Sequence, residues 1–165
     1  MMKNTFALLA LLLMAAACAK TEKVPFSPAE VVLEAEGPLF DGSNTAQSSL
    51  QVDLTEALDG GKLAGARLTS VTITAEEPAD LSLINDITLQ IAGKGVAMQK
   101  VAFLNPLPEG SNSIQLQVAD EQKGLADFFA LSEMTLVADL NLKGEYEGNM
   151  RLKTKLEFSL DVSSK

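Results

Sequence analysis

The sequence predicts an all-β protein, an antiparallel β-sandwich of immunoglobulin-like or jelly-roll type with one or two short helices. Three observations carry that expectation. Apolar and polar residues alternate with period two along most of the chain, which is the mark of strands with one buried and one wet face. About eight or nine such runs occur, separated by Gly, Pro, Asn and Asp clusters. No helical segments intervene in the βαβ rhythm that a parallel sheet requires. A lipocalin-like barrel is the second architecture that the pattern allows.

The elements follow in order. Val31–Glu36 is the first candidate strand, ended by Gly37-Pro38, and a polar loop is expected around Asp41-Gly42-Ser43-Asn44. Leu50, Val52 and Leu54 alternate with Gln51 and Asp53, and Asp59-Gly60-Gly61 is a turn. Residues 66–74 are rich in β-branched side chains, which suit a pleated surface, and Glu76-Glu77-Pro78 stops them. Asp80–Ile84 is expected to form one short helical turn capped by Asp80, leading into a strand with Ile87, Leu89 and Ile91 on one face. Gly93-Lys94-Gly95 turns the chain into Val96–Phe103, a loop spans Asn105–Gly110, and Ile114, Leu116 and Val118 alternate with Gln115 and Gln117. Residues 120–131 change period: Leu125, Phe128 and Phe129 fall at i, i+3, i+4, which predicts a helix whose phenylalanines plug one end of the core. A C-terminal hairpin is expected from Met134–Leu142 and Leu152–Val162, joined by turn chemistry over Gly144–Asn149.

The N-terminus is of a different kind. Lys3 precedes an uninterrupted apolar run, Phe6–Met14, and three small residues then lead to Cys18, the chain's single cysteine. These are the parts of an export signal, and the run is shorter than the roughly 20 residues a membrane-spanning helix needs. Ala15-Ala16-Ala17-Cys18 resembles the lipobox of bacterial lipoproteins, with Ala15 standing where that pattern most often has Leu. The resemblance implies transfer of a diacylglyceryl group to the Cys18 thiol, cleavage between Ala17 and Cys18, and often acylation of the freed amine. It implies a lipid anchor in the bacterial cell envelope, and Ala19, which is not the aspartate associated with inner-membrane retention, favours the outer membrane. Two or three acyl chains make such an attachment effectively permanent. An ordinary secretory signal that leaves Cys18 as a free thiol is the competing reading. The expected organisation is a signal peptide over residues 1–17, an acylated N-terminus and tether over 18–29, and a single domain over 30–165.

Composition narrows the function. The chain has 22 acidic against 13 basic side chains, a formal charge of −9, and residues 1–17 contribute only Lys3 to that count. A dispersed acidic surface repels phosphate backbones, so nucleic acid is not an expected partner. Histidine is absent, which removes Ser-His-Asp triads and histidine-ligated metal sites. Tryptophan is absent too, and Tyr146 is the single tyrosine, so the stacking platforms of a sugar-binding surface are scarce.

Few residues stand out as site candidates. Asp41-Gly42-Ser43-Asn44 has oxygen ligands but lacks the spaced carboxylates of an EF-hand, and reads as a turn. Glu76, Glu77 and Asp80 form one acidic corner, and Glu145 with Glu147 another. Arg151, Lys153 and Lys155 form a basic stripe, expected to pair with Asp139 or to protect a sheet edge. No catalytic residue, metal or cofactor is expected. The expected function is that of a non-enzymatic interaction or scaffold module, with the membrane and another envelope protein as partners. The alternative is a carrier or chaperone for an apolar ligand or lipid.

Overall fold

The computed structural model describes residues 20–164 apart from Ala79 and Ser132. The signal segment, Ala17 and Cys18 lie outside the described residues. The described residues form an antiparallel β-sandwich of ten strands and two short helices: β1 (Thr21–Phe26), β2 (Val31–Ala35), β3 (Gly42–Gln51), α1 (Thr55–Leu58), β4 (Lys62–Glu77), β5 (Ile84–Gly93), β6 (Val96–Leu104), β7 (Ser113–Gln115), β8 (Gln117–Val118), α2 (Leu125–Phe129), β9 (Glu133–Leu142) and β10 (Met150–Ser163).

The strand order is β7-β4-β10-β2-β3-β9-β5-β6-β8, with β1 added beside β2 on the same edge of β10. The order begins and ends on β7 and β8, which are consecutive in the chain and separated by Leu116 alone. Leu116 is buried, and its N–H donates to the Val71 carbonyl at 2.9 Å. One short segment therefore ties both ends of the ladder, and the sandwich nearly closes into a flattened barrel. The other junction is thinner, a single β2–β3 pair at Glu34 and Gln47.

Burial follows the alternation. Along β10, Met150, Leu152, Thr154, Leu156, Phe158, Leu160 and Val162 all point inward, and Thr154 is the one buried polar side chain among the described residues. Its hydroxyl donates to the Leu152 carbonyl at 3.3 Å, which satisfies it. Opposite, β4 keeps an apolar face only by changing parity, since Leu68, Val71 and Ile73 are all fully buried. The change comes from β-bulges: the register with β10 slips at three places, leaving Ala64, Thr69 and Glu76 without a partner. The three extra residues let a 16-residue strand coil around the core without turning its apolar side outward.

Several expectations need correction. Residues 21–26 are not a tether: Val24 and Phe26 face inward, and Thr21–Phe26 pair with Ser163–Phe158 of β10. The Phe26 ring packs 6.1 Å from Phe129 and 6.4 Å from Phe158, while Phe129 and Phe158 stand edge to face at 5.0 Å. The polar stretch after Asp41 is strand, not loop, because Ala46 and Leu50 supply a buried face and ten pairs with β9 supply the ladder. Asp80–Ile84 forms one hydrogen-bonded turn, Ile84 N–H to Leu81 C=O at 3.0 Å, not a helix. The 120–131 helix shrinks to Leu125–Phe129, and an unexpected turn of helix occupies Thr55–Leu58.

The expected C-terminal hairpin is also absent. β9 pairs with β3 and β5, whereas β10 pairs with β4, β2 and β1. The intervening segment is an arch between the two layers, pinned midway by reciprocal backbone bonds between Leu39 and Tyr146 at 2.8 and 3.0 Å. Both strands carry full apolar faces, and the arch lets each face the other across the core.

Candidate functional site

Strand register defines two poles. At one, Thr21 pairs with Ser163 and Ser163 with Lys62, so the start of β1, the end of β10 and the start of β4 lie side by side. The Ser164 N–H donates to the Lys20 carbonyl at 3.3 Å, and the Asp59-Gly60-Gly61 turn after α1 packs there, with Gly61 against Val162. At the other pole, Met150 pairs with Ala35, and the Leu39–Tyr146 bridge closes the end. β10 runs from one pole to the other, and its 14 residues at about 3.3 Å each separate them by roughly 40 Å.

The far pole exposes Phe40, 61% accessible, on a turn built by Asn44. The Asn44 side chain accepts from the Phe40 N–H at 3.1 Å and donates to the carbonyls of Phe40 and Gly42 at 2.7 and 3.1 Å. Every polar atom of that amide is thus committed to backbone, so the chain turns at Phe40-Asp41 and Gly42-Ser43-Asn44 begin β3. Glu145 and Glu147 are exposed on the neighbouring arch.

The acidic corner and the basic stripe satisfy each other. Glu76 is a bulge residue, so its side chain swings clear of the ladder to meet Arg151 at 3.3 Å and Lys153 at 3.9 Å. Lys155 pairs with Glu157 at 2.9 Å, and that hydrogen bond, reinforced by the carboxylate's charge, raises its pKa. Asp139 instead accepts from Gln90. The expected pairing with Asp139 does not form, and β10 is a central strand with no edge to protect. Asp80 accepts from the hydroxyl and the N–H of Ser82, which holds its carboxyl below the ordinary aspartate value. Among the described residues, no group of three or more His, Cys, Asp or Glu is placed to hold a metal ion.

A cleft of about 800 Å³ lies on the outer face of β1, β10 and β4, walled by the loop before α2. Lys23, Asp161, Gly65, Ser159 and Arg67 form its floor, and Asp120, Lys123 and Asp127 its wall. The wall is fixed by Gln122, whose side chain accepts from the Leu68 N–H at 2.7 Å and donates to the carbonyls of Leu68 and Ala119 at 3.1 and 3.0 Å. The sequence carries no sign of this role, since a glutamine in a polar loop looks like any other. Phe128 and Phe129, by contrast, are buried as their spacing predicts, at 1% and 7% accessibility, and seal the α1 end of the core. Cations and anions are mixed in the cleft, and no aromatic side chain lines it. Its lining mixes charged groups with aliphatic surface from Ala64, Ala66 and Leu125, and it is an open surface cleft, not the enclosed apolar interior that a lipid carrier needs.

No family model matches the chain, and no curated protein does. Solved structures give distant likenesses. One is the capsid of Helicobacter pylori bacteriophage KHP30, at 12% identity and TM-score 0.32 over 84% of this chain and 94% of that one. Another is a carbohydrate-binding module of the β-sandwich superfamily, at 12% identity and TM-score 0.35 over 91% of this chain and 59% of that one. A third is Desmodium yellow mottle tymovirus, at 10% identity and TM-score 0.33 over 88% and 90%. The architecture rests on the strand pairing described above, independently of these likenesses.

Proposed function

We propose that the protein is a bacterial envelope lipoprotein, anchored through acylated Cys18 and serving as a non-enzymatic interaction or scaffold module for another envelope protein. The observation that carries the reading is the Ala15-Ala16-Ala17-Cys18 motif after a short apolar run, with Cys18 the single cysteine of the chain. An exported chain gains nothing from one unpaired thiol except reactivity, whereas an anchor requires that thiol at that place. Outer-membrane sorting, from Ala19, belongs to the same proposal.

The scaffold part draws support from how the polar side chains are spent. Glu76, Asp80, Arg151, Lys153 and Lys155 are engaged in surface turns and ion pairs, and the chain has no histidine to serve as base or ligand. The carrier alternative loses ground because the inward positions are filled by aliphatic and phenylalanine side chains and the cleft over β1, β10 and β4 is a surface feature rimmed by charged side chains.

The test is metabolic labelling with an alkynyl palmitate in a bacterial host, combined with fractionation. The wild-type chain takes up label and pellets with membranes, and Cys18→Ser does neither. Retention of the Cys18→Ser protein in membranes after a high-salt wash would overturn the anchor. Crosslinking in intact cells tests the scaffold role, for which a reproducible protein partner is required.

A further inference from the structure

Resting on the anchor reading, we infer that the domain stands upright on the bilayer, with its β1–α1 pole against the lipid headgroups and the Leu39–Tyr146 pole facing away. The argument is one of reach. Strand β1 begins at Thr21, and Lys20 is already held to the C-terminal end of β10 by the Ser164 N–H. From Cys18 to Lys20 is two residue steps, at most about 7 Å of extended chain. An acylated Cys18 sits at headgroup level, so Lys20, Thr21, Ser163 and the turn after α1 are held within about one chain-width of the surface.

The opposite pole is fixed by the same strands. β10 carries the chain from Ser163 to Met150, roughly 40 Å at strand rise, and the exposed Phe40 and Glu145 belong to the loops beyond it. Phe40 therefore cannot serve as a membrane contact of the protein's own anchored bilayer, and is left free to meet a proteinaceous partner. A flexible ten-residue tether would have allowed the domain to tumble. The ladder between β1 and β10 removes that freedom, since six register pairs hold the residues that would have formed it. The surface is applied to the membrane by covalent reach and not by affinity, because Glu56, Asp59 and Glu22 accompany Lys20 and Lys62 at that pole.

Acylation of Cys18 makes the test clean, since any cysteine introduced elsewhere is then the only free thiol. The mature acylated protein carrying Glu56→Cys, on α1, or Glu145→Cys, on the far arch, is labelled with a fluorophore and reconstituted into phosphatidylethanolamine–phosphatidylglycerol vesicles bearing a headgroup nitroxide quencher. Quenching at position 56 is expected to exceed that at 145 by at least about threefold, given the two distances. A ten-residue Gly-Ser insertion between Ala19 and Lys20 is expected to abolish the difference. Equal quenching at 56 and 145 without the insertion, or stronger quenching at 145, overturns the upright orientation while leaving the anchor intact. Failure of the protein to float with vesicles at all overturns the anchor reading, and this inference with it.

Discussion

The side-chain amide of Gln122 pairs with the backbone of Leu68 as a residue of a neighbouring strand would, accepting its N–H at 2.7 Å and donating to its carbonyl at 3.1 Å. β4 loses its ladder partner on this side beyond β7, which covers only Thr72–Thr74. Gln122 extends the cover by one residue pair and, through Ala119, fixes the loop that leads into α2.

Gln122→Ala is expected to leave the Leu68 amide unpaired in a half-buried setting and to lower stability by about 1–3 kcal/mol. Urea unfolding measures it. Glu121→Ala, on the adjacent exposed residue, is the comparison and is expected to change stability by less than about 0.5 kcal/mol. Equal effects at the two positions would mean that the Leu68 contact contributes nothing.

Phe26 provides a second measure, because a tether and a strand assign it opposite roles. Its ring is half-buried between Phe129 and Phe158, so Phe26→Ala removes two aromatic contacts together with apolar burial. A loss of about 1–3 kcal/mol is expected in the same unfolding experiment. Amide exchange should also show protection at those β1 amides that bond to β10, which a tether would lack. An unchanged urea midpoint would return this segment to the status of a tether.

The contrast between Phe26 and Gln122 shows what was legible. Alternation identified the strands because burial on one face is a local property of the sequence, and the i, i+3, i+4 spacing of Leu125, Phe128 and Phe129 identified the plug for the same reason. Pairing was not legible. The turn chemistry of Gly144–Asn149 serves a hairpin and an arch equally well, and what selects the arch is the bridge from Tyr146 to Leu39, far away in sequence. Glu76 and Arg151 each looked like a candidate binding group when read alone, and became each other's partner only once the bulge at Glu76 and the register of β10 brought them together. Val24 and Phe26 did alternate, but two prolines and three charges nearby masked a strand that long-range pairing stabilises.

Asp80 offers a pH-dependent check on local order. The Ser82 hydroxyl, and secondarily the Ser82 N–H, hydrogen-bond its carboxylate and favour the ionised form, so its folded-state pKa lies below the ordinary value. The stabilisation this gives is complete above the unfolded-state pKa, near 4, and is lost as pH falls through the folded-state value. Ser82→Ala should raise the Asp80 midpoint toward that of a free aspartate. Carbon-detected NMR titration of the side-chain carboxyl reads it directly, and an unmoved midpoint would show that Ser82 does not set it.

Gly37 and Gly144 lie at the same pole but face different surroundings. A Cβ on Gly37 would run into the carbonyl of Gly148 and stand 2.9 Å from that of Glu147, both backbone atoms. They have little freedom to retreat, because the arch is held by the Leu39–Tyr146 bonds and the Gly37 N–H donates to the Asn149 side chain at 3.0 Å. Gly37→Ala is therefore expected to cost about 1–3 kcal/mol, the range for overpacking against a rigid neighbour. A Cβ on Gly144 meets nothing within 4 Å, so Gly144→Ala should leave stability within about 0.5 kcal/mol of the parent. Thermal unfolding of the pair separates close packing of the arch on Gly37 from a general need for glycine in the turn. Equal loss at both positions would show that backbone freedom, not the contact with Gly148, makes glycine necessary there.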